Sequence, residues 1–180
     1  MKIVIGITGA SGVIYGVRFL ENLKEEKYLI VSENAKKIME YETEYKIKDV
    51  EKLAEHYYEN NDLFPDISSG SFMFDAMVIV PCSMSTLSKI ANGISDNLIT
   101  RTASVCLKEK RKLVIVPREI PVSTIHLQNM VKLSENGAII LPAMPGFYPK
   151  PERIDDIIDF VVGKIMDSLG IENKLYKRWG

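Results

Sequence analysis

Residues Met77–Thr86 read MVIVPCSMST, so four apolar residues lead into a proline and then into small hydroxyl side chains. An apolar run bounded in this way predicts a buried strand that ends in a turn, and Leu87–Ala91 continues as a helix. Backbone N–H groups at a helix N-terminus attract anions, because the helix dipole places partial positive charge there. The stretch therefore predicts an α/β unit with an anion-binding turn.

A second turn of this kind lies near the start of the chain. Gly6–Gly12 reads GITGASG, follows apolar β-branched residues and precedes a helical pattern that begins at Val13. Its glycine spacing is not GxGxxG, but Glu33 lies about where a ribose-binding acid would be expected, so a dinucleotide site stays open. A plain tight connection is the simpler alternative for this turn. Two turns that could each bind a phosphate together indicate a nucleotide-like ligand.

Predicted strands alternate with predicted helices along the chain, which favours a parallel sheet with helices on both faces. The loops that follow such strands gather at one edge of the sheet, where ligands bind. We therefore expect the polar loops to form a single site. The predicted strands cover 2–8, 28–32, 76–80, 113–116 and 138–141, and the main predicted helices cover 13–25, 34–45, 50–58, 83–91, 96–107, 123–134 and 154–169.

Composition limits the classes of protein that fit. The 180 residues carry 23 basic and 24 acidic side chains, and a net charge of −1 gives no general attraction to nucleic acid or anionic membranes. Two cysteines without ligand spacing and two histidines predict no metal site. No apolar run approaches the roughly 20 residues of a membrane span. We expect one cytoplasmic domain over residues 1–180.

Charged residues suggest where anions are held. Arg118 and Glu119 follow a predicted strand, and the forked guanidinium of Arg118 would suit a phosphate or an anionic ring. A surface ion pair is the plain alternative. Arg101, Lys108 and Arg111 belong to a basic series that is either a solvated helix face or a set of cations reaching a neighbouring subunit's site. Likewise, Ser83 could simply cap a helix.

Taken together, these motifs resemble the flavin prenyltransferase (UbiX) family, long labelled aromatic acid decarboxylases, over nearly the whole chain. Two departures are small: Glu44 stands where the family often has Asp, and Lys164 stands where it has Arg or Lys. Besides the two turns, the matching segments are Tyr15-Gly16, Glu42-Thr43-Glu44, Ser69–Phe72, Asp96–Arg101, Leu107–Glu109, Val116–Glu119, His126-Leu127, Pro145–Tyr148 and Arg178-Trp179.

The resemblance implies a flavodoxin-like or Rossmann-like fold and a metal-independent enzyme that uses reduced FMN. A dimethylallyl group would move to the flavin from dimethylallyl phosphate, or from the pyrophosphate in some members. N5 is alkylated first, and C6 then closes a fourth ring. The product, prenylated FMN, would serve a UbiD-type decarboxylase. Members usually assemble as dodecamers with sites at subunit boundaries.

The resemblance also implies a role for each matching residue. The FMN-binding residues would be Gly9, Ala10, Ser11, Ser32, Ser83, Met84, Ser85, Thr86 and Arg118. The prenyl phosphate would be held by Arg101, Lys108, Tyr148 and Lys164. Glu42 and Glu119 are the candidate acid–base residues, and Ser11 would also lie near the chemistry.

Two other functions fit parts of this pattern. A flavin-dependent cysteine decarboxylase would share the architecture, and Pro142–Pro145 is similar to the Pro-Ala-Met-Asn motif of that family. However, Pro145 replaces the Asn and cannot donate a hydrogen bond to a substrate carboxylate. A non-enzymatic flavin carrier would need the two turns but not Glu42, Glu119, Lys108 and Tyr148 together.

Overall fold

Six parallel strands form the centre of the computed structural model, which describes residues 1–180. They are β1 Lys2–Ile7, β2 Glu26–Val31, β3 His56–Glu59, β4 Ala76–Cys82, β5 Lys112–Pro117 and β6 Ile139–Ile140. Their order in the sheet is β3-β2-β1-β4-β5-β6. From β1 the chain adds β2 and β3 on one side of the sheet, and it then adds β4, β5 and β6 on the other side. The direction of winding therefore switches between β1 and β4.

Helices cover both faces of this sheet, as predicted. They are α1 Val13–Asn22, α2 Glu33–Glu42, α3 Ile47–Glu51, α4 Met84–Ala91, α5 Leu98–Lys108, α6 Thr124–Glu135 and α7 Ile154–Leu169. Successive residues of β1 face opposite cores: Ile3 and Ile5 pack with α1, α2 and α7, whereas Val4 packs with α4, α5 and α6. None of the helices combines the length and the apolar character that crossing a membrane would require.

The predicted helix over 50–58 is wrong. Helix α3 ends at Glu51, and His56–Glu59 forms an edge strand that pairs in parallel with β2. Tyr57 packs against the core of α1, α2 and α7, whereas Tyr58 packs against the opposite core. Because the open edge of β2 offers hydrogen bonds and both cores accept an aromatic ring, tertiary contacts override the local helical pattern.

Helix α1 lies very close to the sheet, and Gly16 makes this approach possible. A Cβ atom at Gly16 would lie 2.5 Å from the carbonyl oxygen of Val80 and 2.9 Å from Cδ1 of Ile7. The close packing fixes the start of α1, and with it the turn that follows β1, against the end of β4.

Candidate active site

The turns after β1 and β4 meet at the carboxyl edge of the sheet, where the winding direction switches. Thr8 joins them: its buried hydroxyl donates to the carbonyl oxygen of Pro81 at 2.8 Å and accepts from the backbone N–H of Ser83 at 2.8 Å. The backbone N–H of Thr8 also donates to Pro81. One hydroxyl therefore bridges the two turns through hydrogen bonds and fixes the distance between them. Doubly wound folds bind their ligands at this place in the sheet.

Two serines cap the helices that open this edge. The hydroxyl of Ser83 accepts from the amide of Thr86 at 3.2 Å at the start of α4, and the hydroxyl of Ser32 accepts from the amide of Ala35 at 3.2 Å at the start of α2. The other amides of each first turn have no partner within their helix. The two N-termini face a polar cavity of about 420 Å³, which is lined by Thr8, Gly9, Ser32, Glu33, Asn34, Asn60, Asn61, Ser83, Ser85, Thr86, Lys89, Asp96, Asn97 and Ile99.

Arg118 follows β5 and separates two further cavities. The tyrosine cavity, of about 760 Å³, is lined among others by Tyr15, Tyr45 and Glu42. The proline cavity, of about 300 Å³, contains Pro117 and Glu119. Arg118 lines both.

Arg118 also carries an unused hydrogen-bond donor. Its backbone amide donates to the carbonyl of Cys82 at 3.3 Å, but its Nε is buried and has no partner in the chain. A buried guanidinium donor without an acceptor lowers the stability of the fold, unless a ligand supplies the acceptor. Two largely apolar cavities beside a polar, hydroxyl-lined one suit a ligand with an aromatic ring system and a phosphorylated polar chain. The residues present therefore fit FMN.

Glu42 reaches this site from the last turn of α2. Its Oε2 accepts a hydrogen bond from the backbone N–H of Gly12 at 2.8 Å, and Gly12 has the left-handed φ of +94°. The exposed Ser11 precedes it in the same turn. Burial raises the pKa of the nearby Tyr15 hydroxyl, although the Arg118 cation partly opposes this, so Tyr15 stays protonated at neutral pH.

The nine residues expected to contact flavin all lie on the turns and helix starts that follow β1, β2, β4 and β5. Met84 differs from the others because its side chain is buried in the core of α4, α5 and α6, which leaves its backbone for any ligand. Glu119 is exposed and receives a hydrogen bond only from the adjacent amide of Ile120. The buried thiol of Cys82 has a pKa raised by burial, so it is no nucleophile.

The four residues expected to hold the prenyl phosphate are not brought together within one chain. On α5, the Nε of Arg101 donates to the carbonyl of Ser68 at 3.0 Å, and Lys108 pairs with Glu109. Helix α5 packs in the core that it shares with α4 and α6.

Tyr148 and Lys164 lie on the other face of the sheet. Tyr148 makes edge-to-face contacts with Phe160 and Trp179, at centroid separations of 5.6 and 5.3 Å. Lys164 projects from α7, with its Nζ 3.9 Å from Oδ2 of Asp167. The predicted phosphate ligands thus form two pairs on opposite faces of the molecule.

Asn34 and Asn60, which both line the polar cavity, were not among the residues that the sequence motifs indicated. Asn60 also positions the start of α5, since its Oδ1 accepts from Ile99 at 3.1 Å and its carbonyl accepts from Leu98 at 2.8 Å. Both asparagines follow the carboxyl end of a strand. This position could have indicated Asn34, because β2 was predicted, but it could not have indicated Asn60, because β3 was not predicted. Another cavity of about 420 Å³, which includes Lys24 and Lys174, lies at the opposite edge and has no helix N-terminus.

Comparison with known proteins agrees with this geometry. The flavoprotein family model matches residues 1–166. A flavin prenyltransferase UbiX of Thermoplasma acidophilum is 59% identical over 180 residues, which cover 99% of this chain and 100% of that protein.

Two solved structures are similar over essentially the whole chain. The crystal structure of AnUbiX (PadA1) in complex with FMN and dimethylallyl pyrophosphate has a TM-score of 0.98 and 43% identity, and the match covers 99% of this chain and 97% of that one. A dodecameric FMN-dependent UbiX-like decarboxylase from Escherichia coli O157:H7 has a TM-score of 0.97 and 46% identity, with 100% of both chains covered. The chain therefore belongs to the flavoprotein family and, within it, to the flavin prenyltransferases of the UbiX family, which are transferases.

Proposed function

We propose that this protein joins a dimethylallyl group from dimethylallyl phosphate to N5 and C6 of reduced FMN. The observation that carries the proposal is the buried, unpartnered Nε of Arg118, a residue that lines both the tyrosine and the proline cavity. A flavin bound there supplies a nucleophilic N5 and C6 in its reduced form. The pyrophosphate seen with AnUbiX makes the choice between phosphate and pyrophosphate a part of the test.

FMN would be held from both ends. The starts of α2 and α4, with Ser32 and Ser83 to Thr86, favour its phosphate through backbone amides, hydroxyls and helix dipoles. Gly9 to Ser11 and Arg118 would contact the rest of the flavin. Gly9 is needed at this position because a Cβ atom there would lie 2.6 Å from the Cβ of Asn34.

The prenyl donor would be held between subunits. Arg101 and Lys108 lie on the face covered by α4 to α6, whereas Tyr148 and Lys164 lie on the face covered by α7. One chain cannot direct both pairs at one phosphate, but neighbouring copies in an oligomer can. Cations at a leaving phosphate stabilise the charge that develops as the C–O bond breaks. We propose a dodecamer, the state of the Escherichia coli relative.

Protons would be handled by carboxylates at the flavin. As the donor C–O bond breaks, phosphate leaves with the electron pair, and N5 would form the new bond to carbon and lose its proton to the departing phosphate or to water. Ring closure then adds a proton to the prenyl double bond and removes one from C6. Glu119 is exposed beside Arg118 and is our first candidate for this relay, while Glu42 and Ser11 border the tyrosine cavity.

The product, prenylated FMN, would be passed to a UbiD-type decarboxylase. We propose that residues 1–180 form one flavoprotein domain, because the two faces of a single sheet contribute to both hydrophobic cores. A cytoplasmic location stays a prediction from the sequence.

The proposal is tested by anaerobic incubation with reduced FMN and either dimethylallyl phosphate or the pyrophosphate. We expect the flavin to gain one C5H8 unit in mass spectrometry with the phosphate donor. A flavin carrier would bind FMN and leave its mass unchanged, and this result would contradict the proposal. A cysteine decarboxylase would instead convert a peptide with a terminal Cys to an enethiol.

A further inference from the structure

The segment after α7, residues 171–179, folds back along that helix. Gly170 has the left-handed φ of +81° that ends α7. A Cβ atom at Gly163 would lie 2.5 Å from Cδ1 of Tyr176 and 3.0 Å from Oδ1 of Asn173. We call residues 171–179 the returning segment; it packs directly on the backbone of α7.

Asp167 fastens the returning segment. Its Oδ1 accepts from Nη2 of Arg178 at 2.7 Å and from Nδ2 of Asn173 at 2.9 Å. Its Oδ2 accepts from Nη1 of Arg178 at 2.7 Å and from the hydroxyl of Tyr176 at 2.5 Å. Both oxygens are thus fully engaged. Burial disfavours the charged form, but these hydrogen bonds outweigh it and lower the pKa of Asp167.

Lys164 lies one helical turn before Asp167, at the spacing where a Lys–Asp pair normally forms. Its Nζ is nevertheless 3.9 Å from Oδ2, at the outer limit of an ion pair and beyond hydrogen-bond distance, and its side chain is 48% exposed. The bidentate guanidinium of Arg178 occupies the carboxylate that would otherwise draw this ammonium inward. Arg178 and Lys164 therefore compete for one anion, and the geometry favours Arg178.

We propose that Arg178 is a positioning residue for the prenyl donor, because it occupies Asp167 and so leaves the Lys164 ammonium free for the donor phosphate. The inference rests on the proposed function, which places Lys164 at that phosphate. Without Arg178, Lys164 would close onto Asp167, and the donor would lose part of one cation. Bound flavin would not be affected, since Arg178 is not among the residues that line the flavin cavities.

The test measures donor affinity by calorimetry in protein loaded with oxidised FMN, which cannot react. Dimethylallyl phosphate is titrated into the unmodified protein, Arg178→Ala, Asp167→Asn and the double variant. We expect Arg178→Ala to raise the donor Kd about three- to fivefold, the scale of an exposed ion pair. Asp167→Asn and the double variant should both stay within about twofold of the unmodified protein, because a neutral amide cannot neutralise Lys164.

A merely structural role for Arg178 predicts the opposite, since removing Asp167 as well would loosen the returning segment further. A double variant that binds donor as weakly as Arg178→Ala therefore overturns the inference. Trp179, the only tryptophan in the chain, packs against Tyr148 and reports on the segment by its emission. Unchanged emission in Arg178→Ala with weakened donor binding supports charge competition.

Arg178→Lys keeps the charge and should recover part of the donor affinity. FMN affinity should be equal in all variants. If the unmodified protein binds no dimethylallyl phosphate, the proposed function fails and this inference fails with it. If that protein binds the donor and the double variant does not recover, only this inference fails.

Discussion

Arg118 shows how one side chain links the fold to the site. Its backbone amide joins the end of β5 to β4, while its guanidinium borders two apolar cavities and leaves a buried donor unpaired. Buried guanidinium donors are usually paired within the chain, so this unpaired one indicates an acceptor that a ligand supplies. At the scale of single residues, the site is therefore marked by the unpaired Nε of Arg118 and by two exposed carboxylates, those of Glu42 and Glu119.

The double variant Ser83→Ala with Arg118→Ala should bind FMN at least about tenfold more weakly, since hydrogen bonds to charged groups contribute about 1.5–3 kcal/mol each. Fluorescence titration of FMN measures this. The matched control is Ser123→Ala, because Ser123 caps α6 as Ser83 caps α4 but does not line the polar cavity. An FMN affinity equal to that of the unmodified protein would remove the proposed pocket.

Glu119→Gln should bind FMN and donor nearly normally but close the fourth ring slowly. A Gln side chain cannot relay a proton, and such groups contribute about 10²–10⁴-fold in rate. Chromatography separates flavin with the open prenyl group from the ring-closed product, which has the same mass. If Glu119→Gln makes the closed product at the normal rate, Glu42 becomes the candidate, and Glu42→Gln is the next variant.

At the scale of elements, the site depends on how β1 and β4 are joined. The Thr8 hydroxyl satisfies the carbonyl of Pro81 and the amide of Ser83, so it holds the first turn against the start of α4. Both partners belong to the anion-binding turn. The start of α4, which we propose binds the flavin phosphate, is thus positioned by a buried side chain that does not itself need to touch that ligand.

Thr8→Val should lower the free energy of unfolding by about 1–3 kcal/mol, because the half-buried amide of Ser83 loses its acceptor and the Pro81 carbonyl keeps only the backbone N–H of Thr8. Thr102→Val is the matched control. Thr102 is equally buried, but its hydroxyl has no hydrogen-bond partner, so this change should be neutral or stabilising. Urea unfolding measures both variants. Equal losses of stability would show that the Thr8 bridge contributes nothing.

FMN affinity should separate the same pair of variants. Thr8→Val should weaken FMN binding because the start of α4 is no longer fixed against β1, whereas Thr102→Val should not. Fluorescence titration at a temperature where both variants remain folded measures this difference.

At the scale of the whole molecule, one copy leaves large apolar side chains uncovered. Ile120, Ile125, Val131, Met144 and Phe147 are each more than half exposed and lie on α6 or on the loops after β5 and β6. Several large apolar side chains exposed on neighbouring elements are typical of an interface. Assembly of several copies would cover it and would also bring the two separated pairs of phosphate ligands together.

Light scattering at micromolar concentration should therefore give a mass larger than a dimer. A monomeric mass would contradict the assembly, and with it the donor site between subunits.

Mixing inactive variants tests whether the donor site combines chains. Lys108→Ala and Lys164→Ala should each prenylate flavin slowly, because each removes one cation from the leaving phosphate. Co-expressed in one cell, they should form oligomers in which some sites receive an intact Lys108 from one chain and an intact Lys164 from another. The rate of flavin prenylation should then exceed that of either variant alone. No recovery in verified mixed oligomers would mean that both lysines act from the same chain.

The local sequence pattern was sufficient to predict those elements that are long or whose ends carry characteristic capping or turn residues. Helix α7 was predicted over its full length from its apolar face, and β4 and α4 from the apolar run and the hydroxyl residues of Met77–Thr86. The turn after β1 and the placement of Arg118 at a strand end followed in the same way. These features depend on residues that are neighbours in sequence, so the sequence carries their signal directly.

The sequence by itself determined the class of fold, the family, and which turns gather at one edge of a parallel sheet. The tertiary structure alone decided that His56–Glu59 is a strand, because its hydrogen bonds come from β2 and its two tyrosines enter different cores. Only the tertiary structure shows the hydrogen bonds of Thr8 between two turns, the unpaired donor of Arg118 and the ion pair between Arg178 and Asp167. Each of these features depends on how groups that are apart in the sequence are placed in space, because burial and atomic distances that no local pattern encodes decide whether a polar group is paired.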